Sequence, residues 1–119
     1  MGGECLFCKI VRKKVPAEIV HEDDDVIAFR DIAPQAPTHI LVIPKKHIES
    51  VDDLTPEDDA LVGKVIRTGT EIAKAEGLAG GATEKGYRMV FNNGPDSGYA
   101  VFHIHLHVLG GRKMTWPPG

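Results

Sequence analysis

The sequence predicts an α+β fold, a largely antiparallel sheet covered by one long helix. Three observations carry that prediction. Five short segments have strand composition, one longer segment has helical periodicity, and the two kinds do not alternate as a doubly wound parallel sheet requires.

"EIVHEDDDVIAFRDI" supplies two strands, over 18–21 and 25–30, joined by an acidic turn at Asp23-Asp24. "APQAPTHILVIPK" opens as a proline-punctuated loop and becomes a third strand over 38–43. That strand is apolar on both faces, as a buried central strand is, and Pro44 ends it. In "LTPEDDALVGKVIRTGTEIAKAEG", Thr55 suits an N-cap and Pro56 the first helical position. Glu57, Asp58 and Asp59 favour the positive end of the helix dipole. Leu61, Val65, Ile66, Ile72 and Ala73 make an apolar stripe, and Gly77 is a stop signal. Core packing accounts for this helix without any further role. "GYRMVFNNG", residues 86–94, is a strand running into a polar turn, and 101–109 is the last strand.

The chain has 119 residues, 42% hydrophobic and 26% charged, without a linker-like stretch. A chain of this size buries roughly two thirds of its unfolded surface, so residues 1–119 read as a single domain. The net charge of −3 argues against a dedicated nucleic-acid binder, whose affinity rests on neutralised phosphates. Lys13-Lys14 and Lys45-Lys46 read as solvated surface. No apolar run approaches the roughly 20 residues of a membrane helix, and "MGGECLFCKIVRKK" lacks a signal-peptide pattern. A cytoplasmic protein without membrane contact is therefore expected, with Cys5 and Cys8 reduced.

The chemistry concentrates in "FHIHLHVLGG". On a strand, residues two apart share a face, so His103, His105 and His107 line one side, with Phe102, Ile104, Leu106 and Val108 on the other. The apolar side is the core side, which leaves the histidines facing water, a cleft or a partner. Two imidazolium charges about 7 Å apart repel by roughly 2.4 kcal/mol at an effective dielectric of 20. Near neutrality such a row prefers a mixture of neutral rings, which are nucleophiles or bases, and a cationic ring, which is an acid or anion anchor. Metal binding is the other use of imidazole, but one flat strand does not wrap three ligands around a tetrahedral ion.

The preceding "NNGPDSGYA" has the glycines and asparagines of a loop whose amides converge on a phosphate, although an ordinary turn has the same composition. "CLFC" has zinc-ligand spacing yet provides half of a tetrahedral site; two small core residues would read the same. A thioredoxin-like redox pair would need a βαβ context, which is missing here.

"HIHLHVL" matches the pattern of three histidines alternating with apolar residues, and the chain resembles the histidine triad (HIT) family, in particular its nucleotide-binding protein branch. "LFCKIVRKKVPAEIV", "AFRDIAPQAPTHILVIPKKHI", "GYRMVFNNG" and "VFHIHLHVLGGRKMTWPPG" fall in the order expected of that family over nearly the whole chain. The resemblance implies a HIT-like fold, a five-stranded, largely antiparallel sheet with one long and one short N-terminal helix, and an intertwined homodimer. It implies a purine nucleoside phosphoramidase that cleaves the P–N bond of adenosine or guanosine 5′-phosphoramidates through a nucleotidyl-histidine. His105 would be the nucleophile, His107 would bind phosphate and assist proton transfer, and His39 would orient His105. Asp31 would hold the ribose with Ile32 beside it, while Phe7 and Phe29 would pack the base. Asn92, Gly98, Ala100 and Val101 would cradle the phosphate. Trp116 would reach the partner protomer's site and touch the leaving group, or else fill a dimer groove. The resemblance also implies a closed structural zinc site of Cys5, Cys8, His47 and His103, leaving catalysis without a metal. A sister branch of dinucleoside-polyphosphate hydrolases would use the same histidines on a P–O bond, although the tail "GGRKMTWPPG" favours the first branch. A nucleotide- or zinc-binding interaction module is the non-enzymatic alternative.

The chain departs from the branch at Gly98-Tyr99-Ala100-Val101, where Gly-Gln-Ser/Thr-Val is usual. Ala100 has no hydroxyl for the phosphate, a loss of roughly 1.5–3 kcal/mol if nothing replaces it. Tyr99 is bulkier and would change which leaving groups fit, and Arg30 stands where a smaller or uncharged residue is expected.

Overall fold

The computed structural model describes residues 5–81 and 85–119. In chain order the elements are α1 (Leu6–Val11), β1 (Ile19–Glu22), β2 (Val26–Arg30), β3 (Thr38–Pro44), α2 (Asp59–Ala75), β4 (Tyr87–Phe91) and β5 (Leu106–Gly110). The strands form one sheet in the order β1-β2-β3-β5-β4, antiparallel throughout. The α+β expectation holds, with one long and one short helix.

The turn between β1 and β2 closes because the Asp23 carboxylate accepts the amides of Asp25 and Val26 at 2.8 and 2.9 Å, an aspartate doing the work of a backbone turn. β3 lies in the middle of the sheet, which explains its apolar character on both faces. Ile40 and Val42 join Val26, Ala28, Leu106 and Val108 beneath α2. On the opposite face Leu41 and Ile43 pack with Ile27 and Phe29 under Phe7 and Ile10 of α1. His39 shares that second face with Leu41, so the short helix and the histidines occupy the same side of the sheet.

The long helix is shorter than the capping signals suggest. Thr55 and Asp58 form a capping box around a 3-10 turn over Pro56–Asp58, and α-helix begins at Asp59. Its buried residues are Val65, Thr68, Gly69, Ile72 and Ala73, the spacing of a single helical face. Ile66, expected in the stripe, is 39% exposed, because it lies about 100° around the helix from Val65. Gly77 has φ of +77° just past the helix, as its stop role requires.

Gly69 sets how closely α2 approaches the sheet. A Cβ there would lie 2.9 Å from Met89 Cε, 3.2 Å from Leu106 Cδ2 and 3.3 Å from Val108 Cγ2. Gly69→Val is therefore expected to destabilise the fold by about 1–3 kcal/mol through overpacking. Chemical denaturation of the two proteins checks this, and equal midpoints would contradict it.

The last strand differs from its sequence reading in a way that matters for the site. Ladder pairing begins at Leu106, opposite Val42 on one side and Phe91 on the other. Before it the chain leaves the ladder, and the amide of Ile104 donates to the carbonyl of Ile48 at 2.7 Å. Phe102, assigned to the core face from periodicity, is consequently 63% exposed. Arg30 at the end of β2 forks onto Glu76 at 3.0 and 3.1 Å and reaches Glu18 at 3.2 Å. It ties the end of α2 to the sheet edge. Among the described residues, no helix is long and apolar enough to cross a membrane.

Candidate functional site: a histidine cleft beside a cysteine–histidine cluster

The three alternating histidines do not share one environment. His107, on β5, and His39, on β3, occupy the same face of the sheet. The register pairs His107 with Leu41 and His39 with Leu109, so the two histidines are diagonal neighbours, a position from which long side chains meet. They do meet: His39 Nε2 and His107 Nδ1 are 2.9 Å apart. His39 was expected to orient His105; its partner is His107, as the diagonal register dictates.

The surrounding hydrogen bonds assign the protons. The backbone amide of Gln35 donates to His39 Nδ1 at 3.0 Å, so a neutral His39 carries its proton on Nε2 and donates it to His107 Nδ1. The Asp31 carboxylate lies 3.5 Å from that same Nε2. His107 then has its own proton on Nε2, 3.5 Å from the side-chain amide of Asn92, whose oxygen is the atom that can accept it. His105 is set differently. Its Nδ1 donates to the carbonyl of His103 at 2.8 Å, which leaves the Nε2 lone pair free.

Burial is the first cause of every histidine shift here. It lowers His39 and His105 from the usual imidazole value, and it pulls His103 and His107 down to about 4, with neighbouring histidine charges adding to the effect. Desolvation acts on all of them together and favours the neutral rings, against the mixed state that charge repulsion alone suggests.

His105 and His107 line a cleft of about 350 Å³ together with Phe7, Phe29, Asp31, Ile32, Asn92, Gly98, Ala100 and Val101. Every residue expected at a nucleotide site is thus brought to one cavity. Phe7 and Phe29 meet edge to face at 5.4 Å on its apolar side, Asp31 marks the end of β2, and Ile32 is 99% exposed at the mouth. Gly98 takes φ of +82° to turn the chain before Tyr99, a conformation that favours glycine. Among the described residues, no backbone acceptor takes the amides of Ala100 or Val101.

The sequence reading did not assign Leu41, Pro16 and Ala17 to the cleft, which they also line. Alternation from His39 marks Leu41 as sharing its face; nothing local marks the other two. Tyr99 was noted only for its bulk, yet its ring stacks on His105 at 5.5 Å and 15°. Burial pushes its phenol up to about 12, so the hydroxyl stays protonated and donates to the carbonyl of Glu49. Trp116 is 81% exposed in the single chain.

His103 is fully buried, away from the cleft, beside Cys5, Cys8 and His47. Cys5 precedes α1 and Cys8 lies on its buried face, so the helix carries both sulfurs to the sheet. Cys5 Sγ lies 3.5 Å from His103 Nδ1, and Cys8 Sγ lies 3.3 Å from His47 Nδ1 and 3.6 Å from His103 Nδ1. The two Nδ1 atoms are 3.2 Å apart. His103 Nε2 donates to the carbonyl of Pro44 at 2.8 Å, which turns the Nδ1 lone pair toward the sulfurs. Burial and the neighbouring Cys5 push the Cys8 thiol up. Four soft or borderline donors converge on one point.

Comparison with known proteins agrees with this architecture. The HIT domain family matches residues 12–114. A HIT-like protein of Synechococcus elongatus is 50% identical over 119 residues, all of both chains. The solved structure of a HIT family hydrolase from Legionella pneumophila superposes with a TM-score of 0.92 at 52% identity, covering 98% of this chain and 100% of that one. A histidine triad nucleotide-binding protein from Candida albicans gives a TM-score of 0.82 at 28% identity, covering 96% of this chain and 83% of its own. The fold, the diagonal histidine pair on β3 and β5 and the match over residues 12–114 have one explanation, that the chain belongs to the HIT domain family.

Proposed function

We propose that the protein is a hydrolase of the nucleotide-binding branch of this family, a purine nucleoside phosphoramidase. The observation that carries the reading is the hydrogen bonding of the two cleft histidines, which assigns them opposite tautomers. His105 offers a bare Nε2, and His107 offers an Nε2–H. A neutral imidazole nitrogen is a nucleophile toward phosphorus, while an N–H stabilises the phosphoryl oxygen or the departing nitrogen.

His105 Nε2 attacks the α-phosphorus, the P–N bond breaks, and the nucleotide is held on the ring. The His105 Nδ1–H bond to the His103 carbonyl stabilises the positive charge this creates. The departing nitrogen must leave protonated; His107 passes it a proton from Nε2 and takes one back from the water that attacks in the second step, so the ring ends as it began. Water then cleaves the P–Nε2 bond and releases the monophosphate. One water is consumed, its hydroxyl remaining on phosphorus and its proton ending on the amine.

Asp31 is assigned to the ribose, and the Phe7–Phe29 side of the cleft to the base. The free amides of Ala100 and Val101, with Asn92, are assigned to the phosphate. The protein is further proposed to work as a homodimer, with Trp116 reaching the partner's site.

A structural zinc ion is proposed at Cys5, Cys8, His47 and His103. Zinc bonds of about 2.3 Å to sulfur and 2.0–2.1 Å to nitrogen give tetrahedral ligand–ligand edges of roughly 3.3–3.8 Å. The separations of 3.2–3.6 Å between these donors fit such a site. Zinc bound there would supply a cross-link between α1, the segment after β3 and the histidine loop. Four protein ligands leave no open position, so the chemistry stays with His105 and His107.

The test is AMP release from adenosine 5′-phosphoramidate, measured beside a dinucleoside polyphosphate. Faster turnover of the phosphoramidate supports this reading, and faster turnover of the polyphosphate moves the assignment to the sister activity. AMP binding without turnover of either would make the protein a binding module. The same assay tests the missing hydroxyl: Ala100→Ser is expected to raise kcat/KM about tenfold or more by restoring a hydrogen bond to a charged group. An unchanged rate would mean that the backbone amides suffice.

A further inference from the structure

We propose that Tyr99 is a positioning residue that sets the plane of the His105 ring and so aims its Nε2. The kinetic part of this inference rests on the hydrolase reading above. The His105 Nδ1 bond to the His103 carbonyl anchors one atom of the ring. One hydrogen bond is a pivot, and the χ2 torsion of a histidine is broad. Flat neighbours remove that freedom. Tyr99 lies parallel to the imidazole at 5.5 Å and 15°, and Phe7 meets it at right angles at 5.1 Å and 89°.

Tyr99 is itself held. Its hydroxyl donates to the carbonyl of Glu49, 50 positions away in the chain, and Phe102 contacts its ring at 5.6 Å and 83°. The loop is thereby tied to the segment that follows β3. A flexible side chain at this position could fill the same space without selecting a ring plane. The stack on His105 is set beside a residue 100 that offers the phosphate no side-chain donor.

Two substitutions separate orientation from bulk. Tyr99→Phe keeps the stack and loses the tie to Glu49; Tyr99→Leu keeps apolar volume and loses the stack. In the unmodified protein the His105 ring protons should resonate upfield of a free histidine, shifted by the tyrosine ring current. Tyr99→Phe should retain that displacement, and Tyr99→Leu should lose it and broaden the signals. With the phosphoramidate, Tyr99→Leu should lower kcat about tenfold to a hundredfold, the cost of misaimed reacting atoms, with KM within about threefold; Tyr99→Phe should recover most of the loss.

An undisplaced His105 ring in the unmodified protein overturns the proposal, whether or not any variant folds. So does a rise in KM at constant kcat, which would make Tyr99 a wall of the substrate site. If the unmodified protein turns over no phosphoramidate, the hydrolase reading fails by itself, and the ring signals still decide the role of Tyr99.

Discussion

Replacing His105 with alanine is expected to abolish AMP release from adenosine 5′-phosphoramidate, a loss on the order of 10⁴-fold or more in kcat. The size follows from the geometry. Of the neutral rings bordering the cleft, His105 is the one whose inner nitrogen is committed to a backbone carbonyl while its outer nitrogen is bare. His107 has the reverse arrangement and its Nδ1 is already occupied by His39, so it has no free lone pair with which to substitute. Water entering the vacated space would be a far weaker nucleophile than the imidazole it replaces. His107→Ala should cost less, about 10²-fold, because it removes a donor and leaves the nucleophile. Both variants should still bind AMP, since the apolar side of the cleft is untouched. Alkaline quenching of the unmodified protein, which preserves a P–N bond to imidazole, should trap a species heavier by one nucleotidyl group, which His105→Ala cannot form. Equal turnover by His105→Ala and the unmodified protein would sink the nucleophile assignment.

The second large effect is expected at the cysteine–histidine cluster. The protein purified from cells should carry one zinc per chain by elemental analysis. Stripping it with a chelator, or replacing Cys8 with alanine, should lower the melting temperature by about 10 °C or more, equivalent to several kcal/mol for a chain of this size. Cys5 and His103 are 98 positions apart in the chain, so a metal joining them would close a long loop of the unfolded state. The alternative ground state is unfavourable, with two close sulfurs beside one buried and one half-buried imidazole and the Cys8 thiol pushed up by burial and by Cys5. A divalent cation reverses that by favouring the thiolates. Turnover should fall as well, because His103, a ligand of the proposed zinc, supplies the carbonyl that holds His105. Metal-free protein with an unchanged melting temperature would remove zinc from the account.

Much of this molecule is legible before any coordinates. Two-sided apolarity marks β3 as central, and its place between β2 and β5 bears that out. Helical spacing finds α2, and the repeated glycines and prolines find the turns. The ordered blocks of the histidine triad pattern lead to the family and to a residue set that one cavity brings together. All of these are local signals, carried by periods of two or 3.6 residues or by residue types suited to special backbone angles.

What the tertiary structure alone decided is where each histidine sits and which ring atom it presents. Alternation places His103, His105 and His107 on one face, yet the ladder begins only at Leu106. The chain before it swings His103 into the cysteines and leaves His105 in the cleft. Alternation likewise puts Phe102 in the core, and the same departure puts it outside. His39 meets His107 rather than His105 because antiparallel register makes them diagonal neighbours across 68 positions of sequence. Tyr99 over His105 depends on a hydroxyl reaching a carbonyl 50 residues back. Strand register, ring rotamers and shared burial arise from contacts between distant segments, and these set both the protonation of each ring and the atom it presents. A residue's type and period are properties of the chain; its free lone pair is a property of its neighbours in space.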